Sequence, residues 1–343
     1  MLGYNLLVLS TFLFSSIGQS KKLSKWIVSI FSGCCFLVLW LTAGFRDQVG
    51  TDFISYRVYF DHIKLLSYEN RGIEAGYYFL NKIVYFINTN NESIFLTTSF
   101  ITLILIFLTI NRYSNHIGVS VFLFLTMYFY FSSFNIVRQY IAVAIVFYAL
   151  KYIVLNETKK YICFILIAMS FHMTAIIALL VYPFMKRNHS AFLYLFISMI
   201  TFCSIPFLPH IMGRISDLLD KYHTLNYGAS PVGMVISGTL FLFALFHKQK
   251  LIKQNPLNII YMNAMFLAFI FHTLGTQQVV LARFATYFYI FSILLIPNCL
   301  SILNKYVRIS VYIILFSLLL IYFNVQLTRG VAGVFPYQSI FSN

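Results

Sequence analysis

Apolar stretches approaching the roughly 20 residues that cross about 30 Å of hydrocarbon recur from one end of this chain to the other, and few folds accommodate that repetition. They fall at 2–17, 26–43, 91–110, 117–134, 139–155, 190–208, 231–247, 257–273, 280–300 and 309–326, with a further stretch at 161–185. The polar breaks between them are too short for a soluble domain, so residues 1–343 read as a single integral membrane domain. A soluble surface needs about a quarter of its residues charged to stay hydrated. Here 10% are charged and 60% hydrophobic, so lipid must be the main solvent. The predicted fold is all-α, a polytopic transmembrane helical bundle of about ten to twelve helices. No basic residue precedes the first run and no small-residue cleavage pattern follows it, so it is expected to stay as a helix.

Charge sets the orientation. The formal net charge is +15, yet the basic residues stand singly or in pairs beside the ends of apolar runs, without the stripe that nucleic acid requires. With the first helix running from outside to inside, the inner side holds Lys21, Lys22, Lys25, Arg112, Lys151, Lys159, Lys160, Lys186, Arg187, Lys248, Lys250, Lys253, Lys305 and Arg308. That is fourteen of the 24 basic residues, with one acid, Glu157, and the positive-inside rule favours the assignment. It requires the stretch 161–185 to be two short helices meeting at Phe171 and His172, which keeps the basic pairs on both flanks inside. His172 then lies at a turn recessed below the outer surface, where it must line protein or water. Two outer segments, 44–90 and 209–230, combine opposite charges with aromatics, and function is expected to concentrate there. The five cysteines have neither metal-ligand spacing nor a disulfide pattern, so no metal site and no cofactor are expected.

The residues able to carry chemistry are few. Arg46, Asp47, Asp52 and Arg57 follow the second apolar run, with Gly50 allowing a turn and Asp52 standing where a helix N-cap belongs. On such a helix Asp52 and Tyr56 share a face, as do Arg57 and Asp61, and solvated ion pairs on a capped interfacial helix explain the pattern as well as a site does. Glu74 opens a second short aromatic helix over 73–87. Arg138 and Gln139 sit at the outer junction of two apolar runs. Arg138 either snorkels to the interface or turns inward to an anion from elsewhere in the structure. Arg283 poses the same choice one turn from Tyr287, and two recessed guanidinium groups on one side suit phosphate or pyrophosphate. His172 is either a packing residue or a proton carrier. The loop 209–228 predicts an amphipathic helix with Ile211, Ile215 and Leu218 or Leu219 on its apolar face. Arg329 and the aromatic tail 334–341 end the chain on the outer side.

Taken in order, GTDFISYRVYF (50–60), Glu74 in EAGY, NIVRQYIA (135–142), SFHMTAII (170–177), RFATYFYI (283–290) and FPYQS (335–339) resemble the EpsG-like, Wzy-type polymerases of O-antigen and exopolysaccharide. The match covers roughly residues 40 to 340, with Phe53 where the family often has Tyr after GTD. The resemblance implies a multi-helix glycosyltransferase of the lipid-carrier class in the bacterial inner membrane. Such an enzyme joins undecaprenyl-pyrophosphate-linked oligosaccharides, donor and acceptor, on the periplasmic face, and a chain-length regulator protein is a further implied partner. The missing Gly-rich nucleotide loop fits a lipid-linked donor.

Transfer from a glycosyl pyrophosphate needs a stabilised leaving group and an activated acceptor hydroxyl. Arg46, Arg138, Arg283 and Arg329 are the candidates for the first task, and Asp52, Glu74 and His172 for the second. Tyr56, Gln139, Tyr287 and Tyr337 are placed to stack on sugars or hydrogen-bond them. Two other classes stay open at the level of sequence. A membrane O-acyltransferase modifying the polysaccharide also places a histidine in the membrane. A lipid-linked oligosaccharide carrier would show paired repeats, and none is visible.

Overall fold

The computed structural model describes residues 1–19, 23–210 and 228–342, and these group into two compact units, one of Met1–Met173 with Asn304–Asn343 and one of Thr174–Leu303. Among the described residues the structure is helical, and its only β feature is an isolated bridge between Arg46 and Ser339. Six described helices are long and apolar enough to cross a membrane, or eight when each of two bent helix pairs is one span. The shorter apolar helices Leu2–Ile17 and Ile117–Thr126 account for part of the difference from the ten to twelve expected. Leucine and isoleucine side chains point away from protein along the helix Lys305–Thr328, with Ile313, Leu318 and Ile321 exposed, as a lipid-facing surface requires.

In the first unit, α1 (Leu2–Ile17) lies against α2 (Lys25–Gly44). Two short helices follow, α3 (Phe53–His62) and α4 (Ala75–Ile87), before the span α5 (Glu92–Tyr113). The run 117–134 is broken into α6 (Ile117–Thr126) and α7 (Phe129–Ser132) by Tyr128, whose φ of 72° is left-handed. Then α8 (Val137–Tyr148) continues as α9 (Leu150–Val154) in one span, and α10 (Thr158–Phe171) packs against α8. Nearly every residue of α8 from Gln139 to Phe147 is buried. A helix apolar on all sides belongs at the centre, and α8 lies between α5 and α10.

The helix α3 begins where expected, but Asp52 makes no capping hydrogen bond from its side chain, and instead the Thr51 hydroxyl donates to its Oδ1 at 3.2 Å. Arg57 pairs with Asp47 at 3.8 Å and not with Asp61. Phe53, Phe60, Val84, Ile94 and Phe95 fasten α3 and α4 to α5, with Phe53 stacked on Phe95 at 4.4 Å between centroids. Each such burial contributes roughly 1.5–3 kcal/mol, enough to hold short helices that would not persist alone. On α4 the opposite face stays apolar and exposed at Phe79, Ile83, Phe86 and Ile87, which suits a helix lying in the membrane interface.

The tail after Lys305–Thr328 is stitched onto the segment between α2 and α3. Gly50 N–H donates to the Gly333 carbonyl at 2.9 Å, Asp47 N–H to Gln338 at 3.0 Å, and the Asn135 amide to the Ala332 carbonyl at 2.7 Å. Gly50 has φ of 109°, and a Cβ there would stand 2.8 Å from Asn135 Oδ1, so only glycine fits the crossing.

The stretch 161–185 breaks at the expected place. The helix α10 ends at Phe171, His172 is extended (φ −157°, ψ 115°), and the chain resumes as a short 3₁₀ turn, Met173–Ala175, then the helices Ile176–Leu180 and Tyr182–Lys186. The second unit continues with Ala191–Ser204, Val232–Phe246, Asn258–Gly275, Val279–Tyr289 and Ser292–Ser301. The amphipathic helix expected over 209–228 falls almost wholly on 211–227, outside the described residues.

Candidate active site

Arg138, partly exposed in the first turn of the otherwise buried α8, carries a charge that a partner or water must meet. Glu74 meets it. The Arg138 Nη1 donates to Glu74 Oε2, and the other carboxylate oxygen, Oε1, lies 2.9 Å from His172 Nδ1. Arg138 also hydrogen-bonds the Tyr56 hydroxyl, so α3, α4, α8 and the end of α10 each contribute one side chain to the cluster. The side chains of Glu74 and His172 are each 16% exposed and that of Arg138 29%, so the cluster is recessed but reachable. Tyr77, fully buried, lines it beside Tyr56, their rings edge to face at 5.7 Å.

A glycine closes the contact. Gly76, in the first turn of α4, lies so close to Ser170 that an added Cβ would stand 2.7 Å from the Ser170 backbone oxygen, which cannot yield as a side chain can. Gly76→Ala should therefore push α4 off α10, destabilise the protein by about 1–3 kcal/mol in detergent-solubilised thermal unfolding, and separate Glu74 from His172.

Burial opposes ionisation of Glu74, but the hydrogen bond from His172 and the charge of Arg138 outweigh it, and the carboxyl falls to about 2 from the ordinary 4.5. A depressed carboxyl stabilises the fold above its unfolded value and loses that contribution as pH falls through the folded one. The stability gap between the protein and Glu74→Gln should thus shrink as pH falls between about 4.5 and 2, as thermal midpoints across that range will show. An ionised carboxylate only accepts hydrogen bonds, so His172 Nδ1 donates to Glu74 Oε1, and in the neutral tautomer with that arrangement Nε2 is the acceptor. That Nε2 is buried and has no hydrogen-bond partner among the described residues.

The other candidates in the first unit form no ion pair with this cluster among the described residues. Arg46 is 2% exposed, donates to the Ala43 and Phe134 carbonyls and stands 4.7 Å from the rings of both Phe95 and Phe134. Burial lowers its guanidinium to about 10, leaving it cationic at neutral pH with no carboxylate in ion-pair range among the described residues. Asp52 is half-buried one turn before Tyr56, and Gln139 is buried beside Arg138. The Tyr337 hydroxyl donates to the Thr42 carbonyl at 3.0 Å, and Arg329 is exposed at the end of Lys305–Thr328. In the second unit Arg283 is exposed, while Tyr287 is fully buried with its hydroxyl 2.9 Å from Thr174 Oγ1. Gly76, Ser170, Asn135 and Thr174 escaped the sequence reading, although each lies inside or beside a motif already singled out. Among the described residues no three His, Cys, Asp or Glu side chains gather as a metal site would need.

The sequence model of the EpsG family matches residues 29–339, nearly the whole chain. The chain belongs to the EpsG family. EpsG is a Wzy-like polymerase family, so the chain is a multi-pass membrane protein with a polysaccharide polymerase role, a glycosyl-transfer polymerase in general terms. No curated protein and no solved structure matches it. In this EpsG-family chain GTDFISYRVYF, EAGY, NIVRQYIA and FPYQS fall in the first unit, RFATYFYI falls in the second, and SFHMTAII starts in the first and ends in the second.

Proposed function

We propose that the chain joins undecaprenyl-pyrophosphate-linked repeat units at the periplasmic face of the bacterial inner membrane, with Glu74, His172, Arg138 and Tyr56 as the reaction centre. The observation that carries this reading is the His172 ring, held at Nδ1 by an ionised Glu74 and offering an unpartnered Nε2. In the reaction the acceptor sugar's hydroxyl oxygen attacks the anomeric carbon of the donor. The bond from that carbon to the pyrophosphate oxygen breaks, the hydroxyl proton passes to Nε2, and undecaprenyl pyrophosphate leaves with the electron pair. Arg138 keeps guanidinium donors beyond the one given to Glu74, and these face the developing charge on the leaving group. Arg329, exposed, is assigned to the pyrophosphate or the adjoining sugars and Asp52 to a sugar hydroxyl, while Arg283 keeps the pyrophosphate role that its motif suggests. Arg46 is reassigned from ligand to support, its cation spent on Phe95 and Phe134. The side of the membrane rests on the positive-inside count.

Purified protein in liposomes, supplied with a defined lipid-linked repeat unit, should yield a ladder of products spaced by one repeat. A product heavier by one acyl group would instead make the chain an acyltransferase, and unchanged substrate moved across the bilayer would make it a carrier.

A further inference from the structure

The end of α8–α9 remote from Arg138 carries a second polar constellation that the polymerase reading does not use. From Arg138 to Lys151 the span rises by about 20 Å at 1.5 Å per residue, so the two lie near opposite ends of one membrane crossing. At the Lys151 end, the last turns of α5 and of α8–α9 border an open cavity of about 310 Å³ lined by Leu108, Asn111, Arg112, Tyr113, Tyr148 and Lys151 among others. Two of these residues are cations and none is an acid. The acid nearest in sequence, Glu157, is taken by Lys160 at 3.0 Å, and neither Arg112 nor Lys151 has an ion-pair partner among the described residues.

Tyrosines frame both charges. The Arg112 guanidinium lies 5.6 Å from the Tyr113 ring centre, and Lys151 Nζ lies 6.0 Å from that of Tyr148 and 5.5 Å from that of Tyr152. Phe164 of α10 extends the aromatic wall, 4.8 Å from Tyr152 between centroids. Beside the cavity Leu108, and farther along α5 Phe100, expose apolar surface, while α10 exposes Ile162 and Leu166. Two cations at the level where a helix leaves the bilayer, with aromatic girdling and apolar flanks running into the membrane, match a phosphate headgroup with its acyl chains.

We propose that the Arg112–Lys151 cavity is a binding site for the headgroup of an anionic phospholipid. Helix-end cations also complement the backbone dipole, which explains their charge but neither a cavity nor the lack of an acid in it. The site lies on the membrane surface away from Glu74 and His172 and does not depend on their role.

The test measures retention of dioleoyl phosphatidylglycerol, against dioleoyl phosphatidylcholine, by native mass spectrometry of the detergent-purified chain. Arg112→Gln/Lys151→Gln should need about thirtyfold more phosphatidylglycerol for equal occupancy, as two cations worth about 1 kcal/mol each beside an anionic lipid imply. Lys305→Gln/Arg308→Gln, elsewhere on the same expected surface, should behave as the unaltered protein. Lys151→Gln alone should shift occupancy about fivefold, which keeps the test decisive if the double variant unfolds in phosphatidylcholine. Equal phosphatidylglycerol retention by the altered and unaltered proteins would overturn the site. So would displacement of the lipid by millimolar inorganic phosphate, which would mark a simple anion site.

Discussion

Glu74→Gln is expected to abolish polymer in cells and to lower the rate of glycosidic bond formation by about 10²- to 10⁴-fold in purified protein. Three losses coincide. The neutral amide no longer balances Arg138, which stays charged within a recessed cluster; it no longer holds His172 by a carboxylate; and it lets the ring adopt the tautomer that puts hydrogen on Nε2. Because the pair is partly solvated, the stability cost should be about 1–3 kcal/mol, below that of a fully buried ion pair, and the protein should still accumulate in the membrane. Polymer length on gels, read beside membrane-fraction immunoblots, separates loss of chemistry from loss of protein. Full-length polymer at normal protein level would remove Glu74 from the reaction.

His172→Gln isolates the proton. Glutamine keeps a polar group at the end of α10 and can still contact Glu74, but it takes up no proton near neutral pH. Turnover should fall by about 10²- to 10⁴-fold with little change in thermal midpoint, and binding of the lipid-linked donor should persist. If donor binding is lost along with turnover, His172 positions the lipid and another group takes the proton.

Much of this arrangement is legible before any coordinates. Continuous apolar runs specify the helices, and the basic pairs flanking 161–185 require a break at Phe171 and His172, which is where α10 ends. Glu74, Arg138 and His172 are also visible as polar residues where apolar sequence predominates. Their meeting is not visible, because Glu74 and Arg138 are 64 positions apart and hydrophobic periodicity fixes which face a residue occupies but not which helix faces it. The sequence leaves Arg138 a choice between snorkelling and an anion, and only the arrival of Glu74 decides it. The burial of Arg46 is hidden for the same reason. An arginine beyond a membrane helix reads as available, and nothing local announces that Phe95 and Phe134 will close over it. Gly76 carries a signal of its own, a glycine two positions after a glutamate at a helix start, yet its meaning depends on Ser170 arriving opposite it.

The central claim is that Glu74 acts through His172 as one catalytic unit. Single-turnover rates of glycosidic bond formation, measured on Glu74→Gln, His172→Gln and the double variant with the same lipid-linked repeat unit, test it most directly. Residues that work as a unit are strongly non-additive, so the double variant should be no slower than the slower single one. Losses that multiply, with the double variant slower by the product of the two single effects, would contradict the account.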